Sequence, residues 1–402
     1  MFATTCNVIL TSKHRHIALS ILIIGAERLM TAVKNSTGCL TLLSQLLLGP
    51  EADRSPLDAN GDSSPSDAPD IASTVALYSR QDFGELWSLA TSHHVIVRAF
   101  PALHKVMLSQ GKQESDWCAN AIQKEKARIN HALAFVSAIC EELSKAGDVV
   151  VIKSLDHWPD LGSDLDLYSN APSGDVVALM KERFNAVLEE RSWGDRLANK
   201  WNFIVPGLPE LVEIHISRLG QTGEQVAVTE SLVKRSRKLP FDAFNLRVPA
   251  PEDRLIISTL QRMYRHFYLR LCDIVDTAEL VRSGAVDYSY LEPLAQSAGL
   301  WDGLASYLVT VSGYLKCYSG RDLPLPPLVT NAARFGNELV QYRRKFLRIP
   351  IFPQAAKLYA TEWARLLLNG ELQSTFRLSL LPGLAAAAAL EFKLTGSDKG
   401  VW

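Results

Sequence analysis

The sequence predicts an α+β protein in which a small mixed-sheet module is flanked by N-terminal and C-terminal helical regions. Three observations carry this. From Leu77 to about Gly147 apolar residues recur at helical spacing, from Val149 to Ser217 β-branched and alternating runs replace them, and beyond Pro249 the helical spacing returns. The chain has 402 residues, 47% of them hydrophobic, which is ample for a buried core in two or three folding units. The pattern divides it into an N-terminal segment 1–49, a linker 50–73, a helical region 74–147, an α/β core 148–248 and a C-terminal helical domain 249–402.

Near the start, Lys13–His16 is basic and Ile17–Ala26 is apolar. The run is too short to span a bilayer, and Glu27-Arg28 follows where a small-residue cleavage site would be needed. Met30 is read as an alternative start, or the run as a plain amphipathic helix, in preference to a secretion signal. Pro50–Ser73 is rich in Ser, Pro, Asp, Ala and Gly and is read as a disordered linker, because it cannot bury enough apolar surface to offset its ordering entropy. Residues 1–76 are therefore expected to be dispensable for folding. In the helical region, Ile122, Ile129, Leu133, Val136, Cys140 and Leu143 fall on one face, with Gly147 expected as the C-cap.

In the core, Val149–Ile152 reads as a buried strand, Pro159–Gly162 as a turn and Asp164–Tyr168 as a second strand. Ser173 is expected to cap a helix carrying Val176, Val177, Met180, Phe184, Val187 and Leu188. Trp201–Val205 and Leu211–Ser217 read as two more strands, with Pro206–Glu210 as their hairpin. Beyond Pro249, Pro251, Glu252 and Asp253 suit a first helical turn. Leu255 to about Arg282 is expected as one long helix or two, Leu291–Tyr314 as another, and helix again from the break at Pro324–Pro327 to the end. The Ala-rich Leu378–Leu390 is interrupted by Pro382-Gly383 and reads as a buried helix rather than a membrane span.

Lys plus Arg number 42 against 43 Asp plus Glu, a formal net charge of −1. No global field draws DNA or an anionic membrane to the chain, and neither is expected as a partner. The six cysteines, Cys6, Cys39, Cys118, Cys140, Cys272 and Cys317, show no C-x-x-C pair or zinc spacing, which predicts thiols in a reducing cytoplasm.

The chemistry concentrates around Gly162-Ser163-Asp164-Leu165-Asp166. On a strand, residues two apart share a face, so Asp164 and Asp166 project together. Two like charges so close call for a cation, and oxygen ligands suit Mg²⁺ or Mn²⁺. Gly162 lets backbone approach a phosphate, and Ser163 can bind its oxygens. An isolated D-x-D is common on exposed strands without function. Here a β-branched strand ending in Lys153-Ser154 lies upstream, and a later strand puts Glu213 and His215 on one face. A carboxylate alternating with Val212 and Ile214 needs a partner.

This constellation resembles the polymerase-β-like nucleotidyltransferase superfamily, and more closely its poorly characterised bacterial branch. Lys153-Ser154 matches the first motif, where that branch has Lys-Gly. Gly162-Ser163-Asp164-Leu165-Asp166-Leu167 matches the second, and Val212-Glu213-Ile214-His215 the third. Arg270–Val275 and Val286–Leu291 are similar to the branch's helical part, so the likeness spans Leu77 to about Tyr314. It implies Asp164, Asp166 and Glu213 as catalytic metal-binding carboxylates for Mg²⁺ or Mn²⁺. It implies Lys153, Ser154, Gly162 and Ser163 at the nucleotide's phosphates. The implied reaction moves a nucleoside monophosphate from a nucleoside triphosphate to a hydroxyl of a small molecule, protein or RNA, with release of pyrophosphate. Lack of a glycine in the first motif departs from the pattern and bears on the triphosphate site. The competing reading is a silent nucleotidyltransferase-like binding or scaffold module. A glycosyltransferase would need a nucleotide-binding α/β half upstream, and a haloacid-dehalogenase phosphatase would have its D-x-D straight after an apolar strand.

Other residues favour structural roles. His215 reads as a satisfied histidine on a half-buried strand, and His157-Trp158 as loop residues packing on the core. His93-His94 has no partner spacing. Lys234–Lys238 reads as a solvated loop, and Arg262, Arg265 and Arg270 as helix-surface residues within reach of a nucleotide.

Overall fold

The computed structural model describes residues 37–49 and 71–395. The expectations for residues 1–36 and for 50–70 of the linker lie outside the described residues. The chain is α+β, with small mixed sheets flanked by helices, and no described helix is long and apolar enough to cross a membrane.

The first described helix, α1 (residues 37–48), corrects the expectation that everything before residue 77 is separable. Cys39, Leu42, Leu43 and Leu46 recur at steps of three, one and three, and all are buried in the helical core. The Ser44 and Tyr314 hydroxyls meet at 2.8 Å, tying α1 to a helix far along the chain. Helix α2 (Ile71–Leu77) begins inside the expected linker and buries Val75.

Three longer helices follow: α3 (Arg80–Ser92), capped by Ser79, α4 (Ile96–Ser109) and α5 (Ser115–Leu143). Helix α5 buries Ile129, Leu133, Val136 and Leu143 as the periodicity predicts. Gly147 is not its cap, since the helix ends at Ser144. Its role is close approach: a Cβ there would lie 2.8 Å from the Ala171 backbone nitrogen.

The central sheet has five strands: β1 (Val149–Val151), β2 (Asp164–Ser169), β3 (Val187–Leu188), β4 (Lys200–Ile204) and β5 (Leu211–Ile216). They lie in the order β1-β2-β5-β4-β3, with only β2 and β5 parallel. Alternation sorts its residues between two cores. Val149, Val151, Leu165, Leu167, Phe203, Val212 and Ile214 pack with α5 and with α6 (Ser173–Phe184). Val150, Ile152 and Tyr168 face the other way, into the core built by helices from both ends of the chain. The helix expected to reach Leu188 stops at Phe184, because Asn185 takes the left-handed conformation that ends helices, and Val187–Leu188 pairs with β4 instead.

After the short α7 (Trp193–Ala198), β4 and β5, helix α8 (Val226–Arg235) leads into a hairpin, β6 (Arg237–Phe241) and β7 (Phe244–Val248). The basic run at 234–238 is thus a helix end and a strand start rather than a loop, with Arg235 paired to Glu252 at 2.8 Å.

The C-terminal region departs most from expectation. The helical pattern from Leu255 to Arg282 breaks into α9 (Pro251–Thr259), a π-helical segment (Leu260–His266), the two-residue strand β8 (Tyr268–Leu269) and α10 (Leu271–Arg282). Phe267 has φ 53°, which cannot continue a helix. Leu291–Tyr314 is likewise two helices, α11 (Tyr288–Ser297) and α12 (Trp301–Ser319), parted at Gly299. After α13 (Pro327–Ala332), β9 (Gln341–Arg343) and β10 (Phe346–Arg348) form a small sheet with β8, where helix was expected. Helices α14 (Ala356–Leu368), α15 (Leu372–Ser379) and α16 (Leu381–Thr395) finish the described chain.

Helix α14 seats on Gly299, where an added Cβ would come within 2.6 Å of the Glu362 Cα. This brings Glu362 into a buried polar pocket with Glu224, and Gln225 donates to Glu362 at 2.7 Å. Burial raises both carboxyls, and Glu224 raises Glu362 further.

Two predictions follow from this packing. Leu43→Ala deletes a fully buried side chain from α1 and is expected to cost about 2–5 kcal/mol, read as a lower midpoint in thermal or urea unfolding. An unchanged midpoint would show that α1 is separable after all. The second concerns pH. A carboxyl raised in the folded state stabilises fully below the unfolded value and loses that contribution as pH rises. Glu362→Gln keeps an acceptor for Gln225 and removes the ionisation. The variant should melt above the parent at about pH 8, with the gap closing towards about pH 4.

Candidate active site

The acidic groups of the site and the cations nearest them come from one face of the sheet and from the turn after β1. Register places Asp166 directly beside Glu213 on the parallel pair, and Glu213 beside Asn202 and His215 beside Lys200 on the antiparallel pair. Asp164, Asp166, Glu213, His215, Lys200 and Asn202 therefore share a face, opposite the apolar Leu165, Leu167, Val212 and Ile214.

Lys153 closes this group from above. It sits at φ 58°, ψ −57°, and the Ser154 N–H donates to the Ile152 carbonyl at 2.5 Å, which is a classic γ-turn centred on Lys153. Such backbone is rare and strained, of order 1–3 kcal/mol, and is kept where its surroundings over-determine it. Here the turn delivers the ammonium to the carboxylates. Lys153 Nζ is ion-paired with Asp166 and lies 3.4 Å from Glu213 Oε1 and 3.5 Å from His215 Nε2. On the other side of Glu213, Lys200 Nζ is 3.0 Å from Oε2 and 2.9 Å from Asp195. His215 Nε2 is 2.7 Å from Glu213 Oε1.

Burial pushes Asp166 up, to about 7, with Glu213 adding to the rise and Lys153 opposing it. Burial acts on Glu213 in the same sense, but Lys153, the His215 contact and Lys200 together hold it well below the usual carboxylate range. Glu213 is thus the firmly ionised member of the pair. Burial and the neighbouring Lys153 lower His215 to about 4, so its imidazole is neutral near pH 7.

The expected site residues fall into two groups. Asp166, Glu213 and Lys153 come together. Asp164 stands apart, exposed at the first position of β2, with the Ser163 hydroxyl 3.4 Å from its carboxylate. Ser154 is buried, and its hydroxyl accepts from the Asp166 N–H at 2.7 Å and donates to the Asp164 carbonyl at 3.1 Å. It clamps the γ-turn to β2. The Gly162 and Leu161 carbonyls accept from Arg128 of α5, at 3.4 and 3.2 Å, which fixes the turn before Ser163.

Two residues of this face, Lys200 and Asn202, lay outside the sequence reading. Lys200 sits one residue before the strand expected from Trp201, yet it shares the alternation of the acidic face. Asn202 lies on that face, and its Oδ1 is buried without a hydrogen-bond partner. Arg265 reaches the site from the π-helical segment and lines, with Lys153, His215, Gln221 and Gln261, a small cleft. Arg262, by contrast, is not on a surface: it is buried and paired with Asp273 at 2.8 Å.

Asp166, Glu213 and His215 each offer one ligand atom, all within 4.8 Å of one another. Two carboxylates and an imidazole fit a divalent ion.

No family model, no curated protein and no solved structure matches the chain.

Proposed function

We propose that the chain is a divalent-metal-dependent nucleotidyltransferase, acting on a nucleoside triphosphate and a hydroxyl-bearing acceptor. The observation that carries this reading is the in-register pairing of Asp166 with Glu213 on parallel strands, on a sheet face that otherwise would have no use for two partly buried carboxylates. Asp166 and Glu213 would hold Mg²⁺ or Mn²⁺, with His215 at their side, and Asp164 at the exposed end of β2 would be available to a second ion. The imidazole favours Mn²⁺ over Mg²⁺. A bound ion would neutralise phosphate oxygens and lower the pKa of the acceptor hydroxyl.

The chain's own groups account for the remaining needs. Lys153 holds the acidic pair in the absence of a larger positive charge and can turn to the phosphates when one arrives. Arg265 lines the adjoining cleft and offers a second positive contact. Ser154 and Arg128 keep the segments before and after the loop in place, so that alignment rather than a reactive side chain does most of the catalysis. The described cysteines are free, which suits a reducing compartment such as the cytoplasm.

A second reading has its own observation. Lys153 already neutralises the two carboxylates and lies 3.5 Å from the imidazole nitrogen, as it would in a silent module that binds or scaffolds without turnover. Transfer of an α-phosphate label separates the two. Purified protein, α-labelled triphosphate, Mn²⁺ and a cell extract should yield a labelled acceptor and pyrophosphate. Asp166→Asn should lose about a hundredfold or more of that activity while melting cooperatively. Equal transfer by the two proteins would remove Asp166 from the chemistry, and its absence from the parent with every triphosphate would favour the silent module.

A further inference from the structure

A second cluster of donor atoms joins the loop between β1 and β2 to the start of α10. His157, Cys272 and Asp273 are all buried there. His157 Nδ1 lies 2.5 Å from Asp276 Oδ2, and the other Asp276 oxygen accepts from Arg98 at 2.6 Å. This fixes the ring and turns Nε2 towards the Cys272 sulfur, 3.8 Å away. Asp273 is held in the same manner. Its Oδ2 accepts from the Arg270 N–H at 2.7 Å and pairs with Arg262 at 2.8 Å, while Oδ1 is left 4.0 Å from the same sulfur. One nitrogen, one sulfur and one carboxylate oxygen thus lie within 4.8 Å of one another.

We propose that His157, Cys272 and Asp273 form a binding site for a zinc-class ion, separate from the acidic pair on the sheet. The donor types set the metal: a thiolate beside an imidazole suits Zn²⁺ and does not suit Mg²⁺ or Ca²⁺. The geometry agrees. Zinc–sulfur and zinc–nitrogen bonds of about 2.3 and 2.0 Å put the two donors about 3.5 Å apart around a tetrahedral ion, so closing the observed gap takes only a few tenths of an ångström. The outer contacts agree too. Ligating histidines almost always give their second nitrogen to a carboxylate, as His157 does to Asp276, and ligating carboxylates are hydrogen-bonded, as Asp273 is by Arg262 and Arg270. As a hydrogen-bonding group alone the buried thiol has little to offer either neighbour. With three protein ligands, the fourth position falls to water. The ion would pin the loop that runs from Lys153 to the start of β2 to α10, so it would brace the candidate active site from the C-terminal helical region.

Cobalt tests this directly, because the sheet site contains no sulfur. Full-length protein stripped with a chelator is titrated with Co²⁺ and followed by absorption. The expected result is a sulfur-to-cobalt charge-transfer band with the strong visible bands of tetrahedral Co²⁺, both bleached by Zn²⁺. Cys272→Ser should lose the charge-transfer band, and Cys317→Ser should keep it. His157→Asn provides a second variant should Cys272→Ser not fold, and it should weaken binding tenfold or more. A parent protein without the band, or a band that survives in Cys272→Ser, would overturn the proposal.

Discussion

Two carboxylates held side by side on parallel strands, in a face that is only partly open to water, cannot both ionise without positive charge between them. Asp166 and Glu213 are in that position, and much of the nearby structure serves the constraint. The strained turn at Lys153 brings one ammonium, β4 brings another through Lys200, and His215 stays neutral beside them. Breaking a buried ion pair by removing one partner costs several kcal/mol, whereas the intact pair contributes little to stability. The arrangement is therefore poorly explained as a way of holding the fold together, which is why we propose that it is a site for a cation of higher charge.

The two faces of the sheet divide the protein's labour. The apolar face anchors to α5 and α6 and fixes register, since a slip of one residue would send Asp166 and Glu213 into a hydrophobic core. The charged face looks towards α9, which contributes Ile257 to the cleft, and the π-helical segment, which contributes Gln261 and Arg265. π-Helical segments are rare and recur at functional sites, and this one turns Arg265 to the cleft while Arg262 is drawn inward to Asp273.

The core module was legible in the sequence because its signals were local. Val149–Val151, the alternation of Asp164–Ser169 and the hairpin around Pro206–Glu210 each state their period within a few residues, and alternation alone puts Glu213 opposite Val212 and Ile214. The C-terminal region was harder. Leu255–Arg282 has a helical pattern throughout, and what breaks it is a left-handed Phe267 and pairing of β8 with β10, a strand nearly eighty residues later in sequence. Helix α1 was missed for a related reason: beside a Pro- and Ser-rich stretch it reads as peripheral, and only packing against distant Tyr314 makes it core. At the site, the acidic residues were visible as a motif, but Lys200 and Asn202 belong to no motif. They matter because β4 pairs with β5 in one register, a fact that no short window contains. The links from His157 to Cys272 and from Arg98 to Asp276 cross more than a hundred residues and were equally hidden.

The central claim is that the acidic pair is built around an exchangeable cation whose place Lys153 holds. Mn²⁺ binding, followed by electron paramagnetic resonance on the full-length protein, tests it most directly. Lys153→Met, which removes the resident charge and keeps the side chain's bulk, should bind Mn²⁺ at least about tenfold more tightly than the parent, and Asp166→Asn should bind it more weakly than the parent. If Lys153→Met folds and binds no Mn²⁺, the lysine is a structural counter-ion and the acidic pair is not a metal site.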